Sequence, residues 1–315
     1  MTAETAEKLG SSTSALEAQI LSNELFDKFV DLIYGISGIK FTQTKSYFLT
    51  SKLELRRKAL ALKTLDDYYR FLQQPHAKTT EYPNLLSEVT INETFFFRNQ
   101  PQLEAFEKDI LIPIINEKRR NHDLSLRIWS AASSTGDEAF TTAMQLLAGS
   151  YAKDFRVEIV GTDISRRAIE AANKGVYGSY ATRNIPPPLI NRFFTDLNNG
   201  THEIKPELKQ MVTFKEGNLQ DSAQVRMLGK FDIVFCRNVL IYFDEDSKRK
   251  VLENIASTMK PTSYLLIGHS ENLYPYRDIF KQDLDIVRAL AYKIAPRKKT
   301  LEELGIADLV AAKKD

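Results

Sequence analysis

Residues 231–244 read FDIVFCRNVLIYFD, a run of apolar and aromatic side chains interrupted by Cys236, Arg237 and Asn238 and closed by Asp244. A strand buried on both faces of a parallel sheet reads as a near-continuous apolar run, so a polar pair within or just after one points to a carboxyl end that opens onto a ligand. The same pair also reads as two polar loop residues beyond a strand end, and the fragment alone favours that plainer reading.

Around this stretch strands and helices alternate from about residue 125 onward, the pattern of a parallel sheet with crossover helices. Strands are predicted at 125–132, 156–164, 230–238 and 263–270, with helices at 137–147 and 165–173. EDSKRKVLENIASTMKP supplies another helix, stopped at Pro261, and DLDIVRALAYKIA returns as an edge strand. Residues 177–214 break the alternation. Their triple proline and Asn198-Asn199-Gly200 turn between short strand formers predict a small antiparallel subdomain inserted in the sheet domain.

Upstream the periodicity is helical. Apolar side chains at 25, 26, 29, 30, 32 and 33 define one helix face, Ser22 is placed to cap it with Glu24 in the first turn, and Gly35 and Gly38 break it. Further helices are predicted at 45–62 and 65–72 and beyond Pro101. The organisation expected is therefore a disordered extension over 1–20, a helical domain and linker over 21–120, a sheet domain over 121–296 and a tail over 297–315.

With 43 basic and 41 acidic residues the net charge is +2, so no whole-chain field announces nucleic-acid binding. A hydrophobic fraction of 43% against 27% charged residues predicts a conventional soluble core. No leader pattern or membrane-length apolar run is present, and a cytoplasmic protein without membrane insertion is expected. The single cysteine, Cys236, excludes an internal disulfide and a cysteine-built zinc site, and its apolar neighbours favour a buried small hydrophobe over a nucleophile.

Two signals point to a nucleoside cofactor. In RIWSAASSTGDEAF a strand enters a loop of small residues, 131–136, and then a helix, which lets a ligand approach backbone N–H groups. The loop lacks the G-x-G-x-x-G spacing of a dinucleotide site, and Asp137 and Glu138 would repel a pyrophosphate. Asp163, in VEIVGTDIS, ends the next strand where an acidic side chain can accept from ribose hydroxyls. Each signal is weak alone. Together, in this order, they favour S-adenosylmethionine over NAD.

INETFFFR (91–98), RIWSAASSTGDE (127–138), GTDIS (161–165), EGNL (216–219), FDIVFCRNVLIYFD (231–244) and GHSEN (268–272) resemble the ordered motifs of the CheR-type chemoreceptor glutamate methyltransferases. The resemblance spans roughly residues 22–295, and FCRN-x-x-IYFD and GHSEN are its most specific parts. It implies a Rossmann-like S-adenosylmethionine-dependent methyltransferase sheet with an N-terminal all-helical domain and an inserted antiparallel β-subdomain. It further implies transfer of a methyl group to glutamate carboxylates on the cytoplasmic helices of methyl-accepting chemotaxis receptors, giving methyl esters and S-adenosylhomocysteine, without a metal and at receptor arrays. Where members carry Glu-Glu-Pro after the loop glycine, this chain has Asp137-Glu138-Ala139, which keeps the acidic pair and loses the proline.

By the same resemblance Asn92, Thr94 and Arg98 approach the cofactor, Glu138 and Asp163 bind its amino-acid and ribose portions, Asn218 and Leu219 hold adenine, and Arg237 and Asn238 line the pocket. A glutamate nucleophile, with an ordinary pKa of ~4.3, is already ionised at neutral pH and needs positioning more than a general base. Arg98 and Tyr242 are the expected catalytic pair, the first to orient a carboxylate and the second to donate or to pack by the methyl group. His269, just past a strand, is expected to be structural. Lys45, Lys52, Arg56 and Lys63 recur at intervals of seven, four and seven on the predicted 45–62 helix and its end, a basic stripe suited to docking acidic receptor helices or simply a solvated face. Some members of the family grip a receptor C-terminal peptide with a longer hairpin loop carrying Gly-x-Gly. The short Asn-Gly turn here implies independence of such a tether. A cofactor-binding regulatory module would fit the same loop, but Arg98 and Tyr242 favour an enzyme.

Overall fold

The computed structural model describes residues 22–280 and 283–295, and within it the chain divides between Ile91 and Asn92 into two compact units. The expected N-terminal extension and C-terminal tail lie outside the described residues.

The first unit is all-helical. Ser22 caps Asn23–Ser37 by accepting from the Leu25 N–H, and Gly38, at φ 73°, ends that helix in the left-handed conformation. Gly35 stays inside it. Thr64 and Asp67 form a reciprocal capping box at the start of Leu65–Leu72. Phe29, Ile33, Leu49, Leu53, Tyr68, Leu72 and Leu85 are buried with no exposure and form the unit's apolar interior. Inside it sits Glu81, 1% exposed, whose carboxylate accepts from Arg56 Nε and Nη2 at 2.8 and 2.7 Å and from the Tyr68 hydroxyl at 2.8 Å.

That network corrects the basic stripe. Arg56 is committed to Glu81, and Lys52 pairs with Glu88 at 3.6 Å. The helix runs only over Ser46–Ala59, so Lys45 precedes it and Lys63 lies beyond its end. Ala61, at φ 54°, turns the chain away before Lys63 is reached. Four cations on one helical stripe therefore do not exist.

The second unit begins with helical segments Gln100–Ala105 and Ile112–Arg120, joined by a π-helical turn over Phe106–Leu111. Leu103, Phe106, Ile110 and Ile114 pack in one core with Leu126, Ile128 and Phe235, so this segment belongs to the sheet unit and not to the helical domain of the sequence reading. The sheet has seven strands: β1 Ser125–Ala131, β2 Arg156–Asp163, β6 Val212–Glu216, β7 Phe231–Cys236, β8 Met259–Ile267, β9 Asp283–Ile286 and β10 Ala291–Ala295, in the order β6-β2-β1-β7-β8-β10-β9. The first five of these in that order are parallel, and β10 runs antiparallel to both β8 and β9. Every residue of β7 is buried, because apolar cores cover both faces of the sheet.

Three local readings change. The 283–295 segment is a hairpin whose second strand lies inside the sheet, not a single edge strand. Val212–Glu216, expected as the end of the insertion, is a strand of the main sheet. The helix Glu245–Thr258 stops before Pro261, which sits within β8. The insertion itself forms a three-stranded antiparallel sheet of β3 Val176–Gly178, β4 Phe194–Asp196 and β5 Thr201–Ile204, with β5 in the middle.

The order of connections reverses between β1 and β7, which are neighbours in the sheet. In open α/β sheets the crevice outside the carboxyl ends at such a reversal is where ligands bind. The loop after β1 and the Arg237–Asn238 pair after β7 stand at that crevice.

Candidate active site

The loop after β1 turns sharply, with Ala132, Ser134 and Gly136 at φ 59°, 49° and 89°. A Cβ on Gly136 would stand 2.6 Å from the Phe214 ring, so only glycine fits the turn. Asp163, at the end of β2, holds this loop down. Its Oδ2 accepts from the Ser134 N–H at 2.8 Å and its Oδ1 from the Ser165 N–H at 2.9 Å, and the side chain is 6% exposed. Burial pushes its pKa up, against backbone hydrogen bonds that pull it down. The sequence reading gave this carboxylate ribose hydroxyls to accept from; the structure buries it and gives each oxygen a backbone donor. Asn92 joins the same knot, donating from Nδ2 to Ser165 Oγ at 3.2 Å while its carbonyl accepts from Ser134 Oγ at 3.0 Å.

Arg237 turns inward, which resolves the polar pair in the opening stretch. Its Nη1 donates to Glu138 Oε2 at 2.9 Å and its Nη2 to the Arg98 carbonyl at 3.0 Å. Glu138 Oε1 accepts from Ser130 Oγ at 2.7 Å. Two residues assigned separately to the cofactor are thus one buried ion pair, linking β1, the helix Asp137–Gly149, the turn after β7 and the irregular segment 92–98. Asn238, the next residue, is left-handed at φ 57°. Cys236 is fully buried and its pKa is raised well above the ordinary thiol value by burial, with the Glu271 and Glu138 carboxylates adding to the shift, as befits a packing residue.

Below the crevice a cavity of about 190 Å³ is lined by Trp129, Thr162, Gly217, Asn218, Leu219 and Val225. The turn that frames it is ordered by its own side chains: Asn218 Oδ1 accepts from the Gln220 N–H at 2.9 Å, and the Leu219 carbonyl accepts from Asn254 Nδ2 at 2.7 Å. The cavity suits one flat heterocycle better than a whole nucleoside conjugate.

At the outer rim lies a cluster of guanidinium and aromatic groups. Arg98 donates from Nη1 to the Glu93 carbonyl at 3.1 Å and lies over the Phe95 ring at 5.6 Å. Among the described residues it pairs with no carboxylate. Arg183 stacks between Phe95 and Tyr180, with centroid distances of 3.7 and 3.9 Å, and the Tyr180 hydroxyl donates to Glu93 Oε1 at 2.8 Å. Thr94 is half-buried on the same segment. Tyr242 is half-buried, and burial raises its pKa while the Arg98 charge opposes the rise. Its hydroxyl remains a donor at neutral pH. His269 is exposed on its turn.

Sequence reasoning missed Glu271. GHSEN stood there as a motif without a role, yet this carboxylate organises the turn after β7 by accepting from the Asn238, Val239 and Leu240 N–H groups. It also missed Arg183 and Tyr180, which no local pattern marks because Phe95 and Glu93 come from a segment far upstream.

Several buried polar atoms at the crevice have no protein partner: Ser133 Oγ, Asp137 Oδ1 and Arg237 Nε. A hydroxyl, a carboxylate oxygen and a guanidinium N–H left without protein partners offer a zwitterionic ligand both donors and acceptors, and with the small cavity they fit S-adenosylmethionine. Strand order, crevice and this chemistry define an S-adenosylmethionine-dependent methyltransferase. Comparison with known proteins narrows the class. Residues 92–285 match the CheR methyltransferase SAM-binding domain and residues 24–90 the CheR methyltransferase all-alpha domain, so the chain belongs to the CheR methyltransferase family. It is 30% identical over 262 residues to chemotaxis protein methyltransferase 2 of Vibrio cholerae, covering 83% of this chain and 90% of that one. It is 34% identical over 263 residues to the chemotaxis protein methyltransferase of Borreliella burgdorferi, covering 82% and 91%. A Pseudomonas aeruginosa relative, chemotaxis protein methyltransferase 2, is 33% identical over 254 residues, covering 80% and 87%. Among the described residues no helix is long and apolar enough to cross a membrane.

Proposed function

We propose that the protein methylates glutamate side chains on the cytoplasmic helices of methyl-accepting chemotaxis receptors, using S-adenosylmethionine and releasing S-adenosylhomocysteine. The observation that carries this reading is the Arg98 guanidinium: set at the rim, held by a backbone carbonyl, and paired among the described residues with no carboxylate of its own. A substrate glutamate supplies the missing partner.

S-adenosylmethionine, when bound, supplies an electrophilic methyl group on a sulfonium centre. Glu138, Asp163, Asn92, Asn218 and Leu219 would hold it, with Arg237 and Asn238 closing the pocket from the turn after β7. Arg237 acts there mainly by fixing Glu138. The nucleophile arrives ionised, with a pKa of ~4.3 for an exposed glutamate, so no side chain has to remove a proton. What the chain contributes is orientation: Arg98 aligns the carboxylate by charge-assisted hydrogen bonds and Tyr242 donates from its hydroxyl, together fixing one oxygen toward the methyl group.

The β-subdomain supports recruitment without a receptor C-terminal tether. The turn between β4 and β5 is wider than a two-residue Asn-Gly hairpin: Leu197 and Thr201 pair across it, and Asn198 and Gly200 are left-handed at φ 57° and 79°. Three of its donors are engaged within the turn: the Leu197 N–H on the Thr201 carbonyl at 3.0 Å, the Asn198 N–H on Asp196 Oδ1 at 2.8 Å and the Thr201 N–H on Asn199 Oδ1 at 3.0 Å. Little backbone remains there for an added strand. Incubation of the protein with methyl-labelled cofactor and receptor cytoplasmic domains tests both parts. Label released as methanol by mild base identifies an ester, and equal labelling of receptors with and without their last residues identifies tether independence. Label in a base-stable linkage, or none on any receptor, overturns the substrate; labelling lost on C-terminal truncation overturns the recruitment route.

A further inference from the structure

Glu271 sits in the loop after β8, 7% exposed, and its carboxylate meets four backbone donors. Oε2 accepts from the N–H groups of Asn238 at 3.0 Å and Gly268 at 2.6 Å; Oε1 accepts from Val239 at 2.9 Å and Leu240 at 2.8 Å. Three successive N–H groups converging on one anion form a nest, here filled by the protein itself. Gly268 makes the approach possible, since a Cβ there would stand 2.7 Å from Glu271 Oε2 and 2.9 Å from the Asn238 nitrogen.

The gripped turn carries the site. Asn238 is held left-handed at φ 57°, a conformation an L side chain rarely keeps without support. The chain continues from Leu240 into the short 3₁₀ turn Leu240–Tyr242, closed by the Tyr242 N–H on the Val239 carbonyl at 3.1 Å. Arg237, by contrast, has independent anchors in Glu138 and the Arg98 carbonyl. Loss of the clamp would therefore release Tyr242 and Asn238 while leaving the Arg237–Glu138 part of the cofactor pocket in place.

We propose that Glu271 is a positioning residue for methyl transfer: by binding the N–H groups of Asn238, Val239 and Leu240 it fixes the turn that presents Tyr242 to the substrate carboxylate. Tyr242's part rests on the methyl-transfer reading above. Glutamate is required over glutamine because each oxygen takes two donors. Whichever way an amide is flipped, its NH₂ faces two N–H groups and cannot accept from either.

The test uses the full chain with a receptor cytoplasmic domain, after the parental protein has been shown to methylate it; a parental protein without activity defeats the functional reading and not the clamp. Glu271→Gln removes the acceptor, and Gly268→Ala pushes on the same turn without changing any charge. Each is expected to lower kcat about tenfold or more, while the Kd for S-adenosylhomocysteine, by calorimetry, weakens by no more than about threefold, because the pocket loses only the ordering of Asn238 and keeps Glu138 and Asp163 on their own anchors. Glu271→Asp, which keeps both oxygens, is expected to recover part of the loss. The double variant Glu271→Gln/Gly268→Ala should be little worse than the worse single, because both act through one turn. The proposal is overturned if Glu271→Gln keeps kcat within about twofold of the parental value, if its kcat loss only tracks an equal loss of cofactor affinity and melting temperature, or if the two substitutions multiply.

Discussion

Asp137 opens the helix after the small-residue loop and is fully buried, with Oδ2 accepting from Thr135 Oγ1 at 2.6 Å and Oδ1 without a partner. Burial pushes its pKa from 3.8 to about 6, opposed by the Thr135 hydrogen bond and the more distant Arg183 charge. Because the folded pKa is the higher one, the folded protein binds more protons than the unfolded chain between those values, and stability falls as pH rises through that window. The full penalty of ionising the buried group is ~3 kcal/mol, of which ~2 kcal/mol accrues between pH 4.5 and pH 8. Asp137→Asn cannot ionise, so its stability relative to the parental chain should improve by ~2 kcal/mol over that interval. Any fixed cost of burying an amide cancels in the comparison. Urea unfolding of both cofactor-free proteins at pH 4.5 and pH 8 measures the quantity directly. A stability difference that is the same at both pH values would mean that Asp137 ionises freely in the fold and that the charge is compensated.

Most of the architecture was legible because the chemistry of a parallel sheet is local. Runs such as RIWSAA and FDIVFC announce two-faced burial, and Ser22 caps the helix that its position suggests. Reading failed where pairing partners lie far apart. The strand Val212–Glu216 has only two inward side chains, Val212 and Phe214, and its neighbour β2 is some fifty residues upstream, so nothing local distinguishes it from the preceding insertion. The site divides similarly. Residue types were recognisable from their motifs, but whether a carboxylate faces a ligand or the protein was not: Asp163, Glu138 and Glu271 share a crevice, and two of the three spend both oxygens on backbone donors. Arg56 shows the same limit in the helical unit, since periodicity placed its charge outside while Glu81, far along the chain, draws it in. Helical spacing reports where a Cβ points; the destination of a long cationic side chain depends on acceptors that spacing does not reveal.

Arg98→Ala and Tyr242→Phe should each lower turnover on receptor more than they weaken S-adenosylhomocysteine binding; parental rates in both would remove the pair from catalysis. Asp163→Asn replaces one of two acceptors by a donor facing a backbone N–H, and should cost about 1–3 kcal/mol of stability along with several-fold in cofactor affinity, read by melting and calorimetry. Unchanged affinity would leave Asp163 a loop anchor only. Arg56→Ala separates docking from folding. Glu81, with a side chain 2% exposed, would keep only the Tyr68 hydroxyl as a strong partner, and removing one member of a buried pair costs about 3–5 kcal/mol. Lys58→Glu, at an exposed position on the same helix, changes charge without touching that network and should leave stability within about 0.5 kcal/mol. If the helix docks acidic receptor segments, the Lys58 variant lowers the methylation rate at low ionic strength and loses that deficit as salt screens the attraction. The buried network is refuted by an Arg56→Ala protein that melts like the parent. In that event the guanidinium would be free to meet a receptor, and the loss of activity in the variant would report docking after all.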